Sequence, residues 1–216
     1  MARVPNPARL VILRIGLGLS ALGLIERERA RRTTDLAWPR IITGLARMSK
    51  NAADAAMVGI GVGPAAIAGV GFAGPYWGLA FSLGAGFAAG TIALVSQRYG
   101  AEAYGKLGQA VRTSALLVVV ATLPLAATFF LFPRELIDVL SSDPAAIGQG
   151  AEYLKIVALG VPFAGLNLIG SRALIGADDA WTPMVVRGGG AITNIALNAV
   201  FIFGLGMGAG GAALAT

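Results

Sequence analysis

Three ionisable side chains lie inside one long apolar stretch, residues 41–61, with the sequence IITGLARMSKNAADAAMVGIG. Arg47, Lys50 and Asp54 follow one another at i, i+3 and i+7, so an α-helix places them on one face. An ionisable side chain at membrane depth costs roughly 2.5–3.5 kcal/mol on insertion scales, and it normally faces a cavity or a partner. The pattern predicts a functional role for Asp54 inside a membrane protein. The alternative is structural: Asp54 pairs with Lys50 one turn away and holds helices together.

The composition is that of a polytopic membrane protein. The chain is 56% hydrophobic and 13% charged, with a mean hydropathy of +0.74, whereas a soluble domain carries about twice that charged fraction. It has no cysteine and no histidine, and we find no nucleophile–base pair or phosphate-binding loop. We therefore expect neither an enzyme nor a cofactor or metal site.

The net charge of +6 is concentrated near the start of the chain. Eight of the seventeen basic residues precede Ile41. Basic residues beside a membrane segment favour anionic head groups as the partner rather than nucleic acid. We expect residues 1–34 to form a cytoplasmic basic arm. Within it, Leu10–Ile25 is an apolar run broken by Arg14, which predicts an amphipathic helix in the interface, with an extra spanning helix as the alternative.

The fold class predicted for the rest, residues 35–216, is all-α: a membrane helix bundle with five spanning helices. Thr34 and Asp35 are expected to cap the first helix. Pro124 is expected to kink the third helix, and Gly160–Pro162 to break the fourth. The five segments are approximately residues 41–61, 74–96, 113–132, 153–176 and 183–204.

Small residues recur at every fourth position of the second predicted span. A ridge of this kind lets another helix backbone approach closely, so it predicts a packing face, with space for a cavity as the alternative. Its members are Gly74, Gly78, Ser82, Gly86 and Gly90.

Lysine and arginine are unevenly distributed among the links. The N-terminal arm and the second and fourth links are basic, the first and fifth links have no basic residue, and the third has Arg134 alone. This asymmetry predicts a cytoplasmic N-terminus in a multi-pass protein of the cell membrane.

Five segments, in order and spacing, resemble the multidrug and toxic compound extrusion (MATE) family of secondary transporters. The segments are NAADAAMVGIG (51–61), GFAAGTIALVSQRYGA (86–101), AEYLKIVALGVP (151–162), ALIGADDAWTPM (173–184) and TNIALNAVFIFGLGMGAGGAALAT (193–216). The family fold has twelve helices in two six-helix lobes. The resemblance implies that residues 35–216 form most of the N-terminal lobe, cut before its sixth helix. It also implies a missing second lobe, in cis or on a partner chain.

The resemblance also implies site residues. Asp54 and Asn194 match the aspartate and asparagine that act on a coupling proton or sodium ion in the family, and Asn198 occupies the position of a second acid. An amide accepts hydrogen bonds or binds sodium but takes up no proton at ordinary pH, which leaves protonation to Asp54. Tyr153 and Asn167 are further possible cavity residues.

The function implied is a cation-coupled antiporter that exports small organic or drug-like molecules by alternating access. Arg47 and Lys50 are not expected in a cation-binding cavity, and their positive charge favours anionic or zwitterionic cargo. One alternative is a flippase for lipid-linked sugars or polar lipids. The other is a structural membrane fragment that transports nothing.

Overall fold

The computed structural model describes residues 7–216, and this part of the chain is helical, without a β-strand. The all-α prediction is confirmed. A 3₁₀ turn at Tyr104–Lys106 precedes α4, and a π-helix at Ala199–Gly204 follows α7. The α-helices are α1 (Pro7–Ala21), α2 (Arg27–Gly61), α3 (Pro64–Gly100), α4 (Leu107–Leu131), α5 (Pro133–Asp138), α6 (Pro144–Gly176), α7 (Trp181–Asn198) and α8 (Gly208–Ala215).

Four helical segments of the described part are long and apolar enough to cross a membrane: α3, α4 with its preceding turn, α6, and α7 with its π-helix. The fifth predicted span lies in α2, which has 35 residues and carries Arg47, Lys50 and Asp54 in its second half. The chain is therefore a multi-pass membrane protein.

Two pairs of helices run parallel. Trp38 and Trp181 have ring centroids 5.7 Å apart, and further along the same helices Asp54 accepts a hydrogen bond from Asn198, so α2 and α7 point the same way. We call the side of the bundle with Trp38 and Trp181 the tryptophan end, and the opposite side the α8 end.

The second parallel pair, α3 and α6, is closely packed. A Cβ atom on Gly69 would lie 2.5 Å from the backbone nitrogen of Gly150, and one on Gly84 would lie 3.6 Å from the Cα of Gly165. The antiparallel α4 joins this pair through Val118, which lies 2.9 Å from a Cβ placed on Gly165. Small residues thus bring three helices into a common core.

The predicted small-residue ridge packs against no helix of the described part. Gly74, Gly78, Gly86 and Gly90 are exposed, and a Cβ on any of them meets no atom within 4 Å. The buried face of α3 instead carries Ala66, Gly69, Ala73, Ala80, Gly84 and Ala88. The physical reason is helical geometry: a step of four residues drifts by about 40° each time, whereas alternating steps of three and four keep to one face.

The start of the first span was predicted wrongly. Helix α2 begins at Arg27 after an extended Glu26 and runs through Pro39 without interruption. Thr34 caps nothing, because its hydroxyl donates to the carbonyl of Ala30. Asp35 forms an ion pair of 2.8 Å with Arg9 of α1. Helix α1 therefore folds back along the first turns of α2, and its 15 residues, about 22 Å, are too short to span a membrane.

Two other predicted interruptions are absent from the described chain. The link between the first two predicted spans is only Val62 and Gly63, since α3 already begins at Pro64. Helix α6 continues through Pro162. Asp143 caps the start of α6, because its carboxylate accepts from the backbone nitrogen of Ala145 at 2.9 Å.

Asp179 stabilises the beginning of α7 in the same way. Its carboxylate accepts from the backbone nitrogens of Trp181 at 3.1 Å and Thr182 at 2.9 Å. Hydrogen bonds from the side chain and backbone of Thr182 hold the pKa of Asp179 below its ordinary value. The cap fixes the residue at which α7 starts, and so it also sets how far along the bundle each following side chain lies.

We expect Gly69→Ala to destabilise this chain, because the added methyl meets the α6 backbone at 2.5–2.6 Å and neither backbone has room to move in a packed core. Thermal unfolding in detergent should show a lower melting temperature, which corresponds to a loss of about 1–3 kcal/mol in the free energy of unfolding. The matched control is Gly86→Ala, which has open space around it and should leave the melting temperature unchanged or slightly raised. Equal effects of the two substitutions would contradict the assigned packing face.

Candidate functional site

Asp54 forms the centre of a polar cluster between α2 and α7. One carboxylate oxygen, Oδ2, lies 2.6 Å from Nζ of Lys50, and the other, Oδ1, accepts a hydrogen bond from Nδ2 of Asn198. The side chains of Lys50 and Asp54 are 21% and 18% exposed. Both carboxylate oxygens therefore have a partner, one on the same helix and one on the neighbouring helix.

The two asparagines of α7 extend the cluster. Nδ2 of Asn198 also lies 3.3 Å from Oδ1 of Asn194, and Nδ2 of Asn194 donates to the backbone carbonyl of Ala215 at 2.6 Å. Asn198 is fully buried and Asn194 is 4% exposed. A hydrogen-bonded chain thus runs from α2 through α7 to the last turn of α8.

The backbone after Asn198 is irregular, and the sequence reasoning missed this. Residues Ala199–Gly204 form a π-helix, a geometry often found at functional sites. Gly206 and Gly208 then adopt φ of +64° and +59°, which favours glycine, and the chain turns back into α8. Such a π-helix has no sequence signature of its own, whereas the glycine-rich run GLGMGAGG marks the turn.

Tyr153 of α6 lies at the edge of this cluster. Its hydroxyl lies near the Thr216 side chain and within electrostatic range of Asp54. Its ring packs on a small apolar core formed by Val58, Ala66, Ile202 and Ala212. Tyr153 therefore lies where a residue lining a cavity beside Asp54 would be expected.

The other two possible cavity residues lie outside the cluster. Arg47 is exposed, and its guanidinium carbon lies 5.9 Å from the centroid of the Phe81 ring on α3. Asn167 is exposed on α6, and no contact joins it to Asp54 among the described residues. The structure thus brings together Asp54, Lys50, Asn198, Asn194 and Tyr153, but not Arg47 or Asn167.

The cluster is rich in oxygen acceptors and holds one acceptor without a partner. Oδ1 of Asn198 is buried and has no hydrogen-bond partner. Carboxylate and amide oxygens suit a hard cation such as sodium, and a carboxylate also takes up a proton. The ammonium group of Lys50 is the cation that contacts Asp54 here. No group of three or more His, Cys, Asp or Glu side chains suited to a transition metal is found between residues 7 and 216.

The comparison with known families agrees with this architecture. The family model MatE matches residues 39–200, about three quarters of the chain. The chain belongs to the MatE family. It shares 30% identity over 182 residues with the multidrug resistance protein PmpM of Pseudomonas aeruginosa, covering 84% of this chain and 38% of PmpM. The probable multidrug resistance protein YoeA of Bacillus subtilis is 28% identical over 68% of this chain and 32% of its own length.

Solved MatE structures have the same fold. The crystal structure of MATE in the straight conformation superposes with a TM-score of 0.78 at 27% identity, and the match covers 86% of this chain and 41% of that one. The crystal structure of MATE in complex with MaD3S gives 0.77 at 28% identity over 84% of this chain and 40% of that one. This chain therefore spans less than half the length of the MatE relatives it matches.

The Lys50–Asp54 pair makes a prediction about stability. We expect Asp54→Asn to lower the free energy of unfolding by about 1–3 kcal/mol, because it leaves the Lys50 ammonium with a weaker partner in a poorly hydrated place. The double change Lys50→Gln with Asp54→Asn should recover most of this loss, since it removes both charges together. Thermal unfolding of wild type, both single variants and the double variant gives the coupling directly, and additive effects would argue against a stabilising pair.

Proposed function

We propose that this chain is part of a cation-coupled antiporter, driven by protons or sodium ions, that exports small organic or drug-like molecules by alternating access. It acts as a transporter rather than an enzyme. The observation that carries the proposal is the position of Asp54: a carboxylate inside the membrane-spanning part, bound to two helices at once. The multidrug resistance names of its relatives support the same function.

Lys50 gives this site a specific mechanism. Its ammonium already neutralises Asp54, so a coupling ion binds only by competing with it. When Asp54 is protonated or binds sodium, Lys50 loses its partner and Asn198 loses a charged acceptor. Since the Asp54–Asn198 contact joins α2 to α7, ion binding changes the relative stability of two arrangements of the helices, as alternating access requires.

Asn198 fits sodium binding through its free amide oxygen. Asp54 and the buried, unpartnered Oδ1 of Asn198 lie on neighbouring helices and are linked through the Asn198 amide nitrogen. A small rotation of that amide would present its oxygen to a cation beside the carboxylate. Proton coupling needs only Asp54. The two ions are therefore distinguished by which gradient drives transport.

The complete transporter requires a second lobe, supplied by the same polypeptide or by a partner chain. We place it in the plasma membrane with the tryptophan end at the cytoplasm. Tryptophan is enriched at membrane interfaces, and the basic links at this end of the bundle obey the charge bias of cytoplasmic loops.

The orientation is testable because the sequence contains no cysteine. Lys106 lies in the turn before α4 at the tryptophan end, and Val139, 80% exposed, follows α5 on the opposite side. In intact cells, an impermeant thiol reagent should label Val139→Cys and leave Lys106→Cys unlabelled. The reverse labelling pattern would overturn the orientation.

The coupling role of Asp54 is tested in the complete transporter, reconstituted in vesicles with an imposed pH or sodium gradient. We expect Asp54→Asn to abolish gradient-driven efflux in protein that still inserts, because an asparagine side chain neither takes up a proton nor carries the negative charge that attracts sodium. Glu102→Gln is the matched control, since Glu102 is exposed in the link before α4 and should transport normally.

The double variant Lys50→Gln with Asp54→Asn separates coupling from a purely structural pair. If Asp54 binds the coupling ion, the double variant is stable but does not transport. Full gradient-driven efflux by the double variant would show that Asp54 has no coupling role and serves only as the counter-ion of Lys50.

A further inference from the structure

The ammonium group of Lys50 lies where a metal cation bound to Asp54 would lie. Its Nζ is 2.6 Å from Oδ2 of the carboxylate, and Asn198 donates a hydrogen bond to the other carboxylate oxygen. Both charged side chains are largely buried. The carboxylate therefore already has a cation as its counter-ion, and that cation is attached to the same helix one turn away.

The oxygen atoms around this ion pair are of the kind that sodium prefers. Oδ1 of Asn194 lies 3.3 Å from the amide nitrogen that Asn198 directs toward Asp54. Oδ1 of Asn198 is buried and has no hydrogen-bond partner. Hard cations bind carboxylate and amide oxygens, and a buried acceptor without a partner is costly to the protein. The cluster thus supplies ligands for sodium, but the Lys50 ammonium covers one of the two carboxylate oxygens.

Lys50 has no other acid to pair with on the helices that pack against α2. Helices α1, α3, α7 and α8 contain neither aspartate nor glutamate. Arg47 lies one turn before Lys50 on the same face, and like charges at this spacing repel each other. The Lys50 side chain is therefore held toward Asp54. The titratable or charged side chains of those four helices are Arg9, Arg14, Tyr76, Arg98, Tyr99 and Arg187.

Sodium and a proton require different things of this ion pair. A sodium ion needs several oxygen ligands at once, so it has to displace the ammonium from the carboxylate and then remain close to it. Two positive charges a few ångströms apart repel strongly in a poorly hydrated place, and the displaced ammonium stays attached nearby at a high effective concentration. A proton adds the same charge, but it needs only one lone pair of the carboxylate. The ion pair therefore discriminates against sodium.

We propose that Lys50 is a tethered cation that occupies the sodium position at Asp54 and restricts coupling at this site to protons. The inference rests on the coupling role proposed above for Asp54, and it selects one of the two candidate ions. Lys50 is then a specificity-determining residue. Removing its ammonium while Asp54 is kept should create a sodium site from oxygen atoms that are already present.

The test is sodium binding by this chain, purified in detergent. Binding is measured with radioactive sodium, and by thermal unfolding in sodium chloride compared with choline chloride at the same ionic strength. Wild type should show no saturable sodium binding and the same melting temperature in both salts. Lys50→Gln should bind sodium at least about tenfold more tightly than wild type, because the competing ammonium is gone and the oxygen ligands remain. Sodium should also raise its melting temperature.

Three further variants separate the ammonium from other causes. Lys50→Arg keeps a cation one turn from Asp54 and should remain insensitive to sodium. The double variant Lys50→Gln with Asp54→Asn lacks the carboxylate and should lose the sodium binding that Lys50→Gln gains. The matched control is Lys106→Gln, which removes the same charge from an exposed lysine in the turn before α4 and should behave as wild type.

Transport by the complete transporter in vesicles gives a separate readout. A pH gradient should drive efflux by wild type, and an imposed sodium gradient should increase efflux by Lys50→Gln but not by wild type. Absence of efflux under either gradient would contradict the proposed function. It would leave the result of the binding experiment standing, because sodium binding is measured without transport.

Two results would overturn the proposal. Sodium binding by wild type that Asp54→Asn abolishes would show that Lys50 does not exclude the ion, and this measurement requires no Lys50 variant to fold. Folded Lys50→Gln that binds sodium no more tightly than wild type would show that the ammonium is not the barrier to sodium.

Discussion

The constraint on which this structure depends is the poor solvation of charge inside a membrane. Asp54 lies in a spanning segment, so both of its carboxylate oxygens must find partners within the protein. Lys50 supplies one from the next turn of the same helix, and Asn198 supplies the other from α7. Because one partner is on another helix, satisfying the charge also fixes how α2 and α7 lie against each other. The need to satisfy the buried charge therefore also determines the packing of these two helices.

The two parallel helix pairs are held together by different physics. Helices α3 and α6 approach until glycine backbones touch, so their contact is rigid and tolerates no added atom at Gly69. Helices α2 and α7 are joined instead by hydrogen bonds among Asp54, Asn198 and Asn194, and polar bonds of this kind are exchangeable. The proposed mechanism requires one part that keeps its shape and one whose contacts change with ion occupancy, and it assigns these roles to the α3–α6 and α2–α7 pairs.

Much of the architecture could be predicted from the sequence, and the failures have definite causes. Hydropathy located most of the spanning helices, and the resemblance to the MATE family identified Asp54, Asn194 and Asn198, which lie in contact. The break predicted at Gly160–Pro162 is absent because α6 continues through Pro162, as packing against neighbouring helices allows. The small-residue ridge faces away from the helices of the described part of the chain, since glycine spacing alone does not say which face has a neighbour. The π-helix and the contact of Asn194 with the carbonyl of Ala215 depend on folding between separate segments, which a single sequence does not display.

The length of α2 gives the site a mechanical link to the membrane surface. The helix continues from Asp54 back to Arg27 without interruption, and 27 residues at 1.5 Å per residue make a rigid arm of about 40 Å. Helix α1 is fastened to the far part of this arm through Arg9 and Asp35. If α2 tilts by about 10° around the level of Asp54, the start of the arm moves by about 7 Å, by the same helix dimensions. A change of ångström size at a buried carboxylate would thus become a larger displacement at the membrane surface. Helix α1 would move with the start of α2, so its position would depend on the state of Asp54.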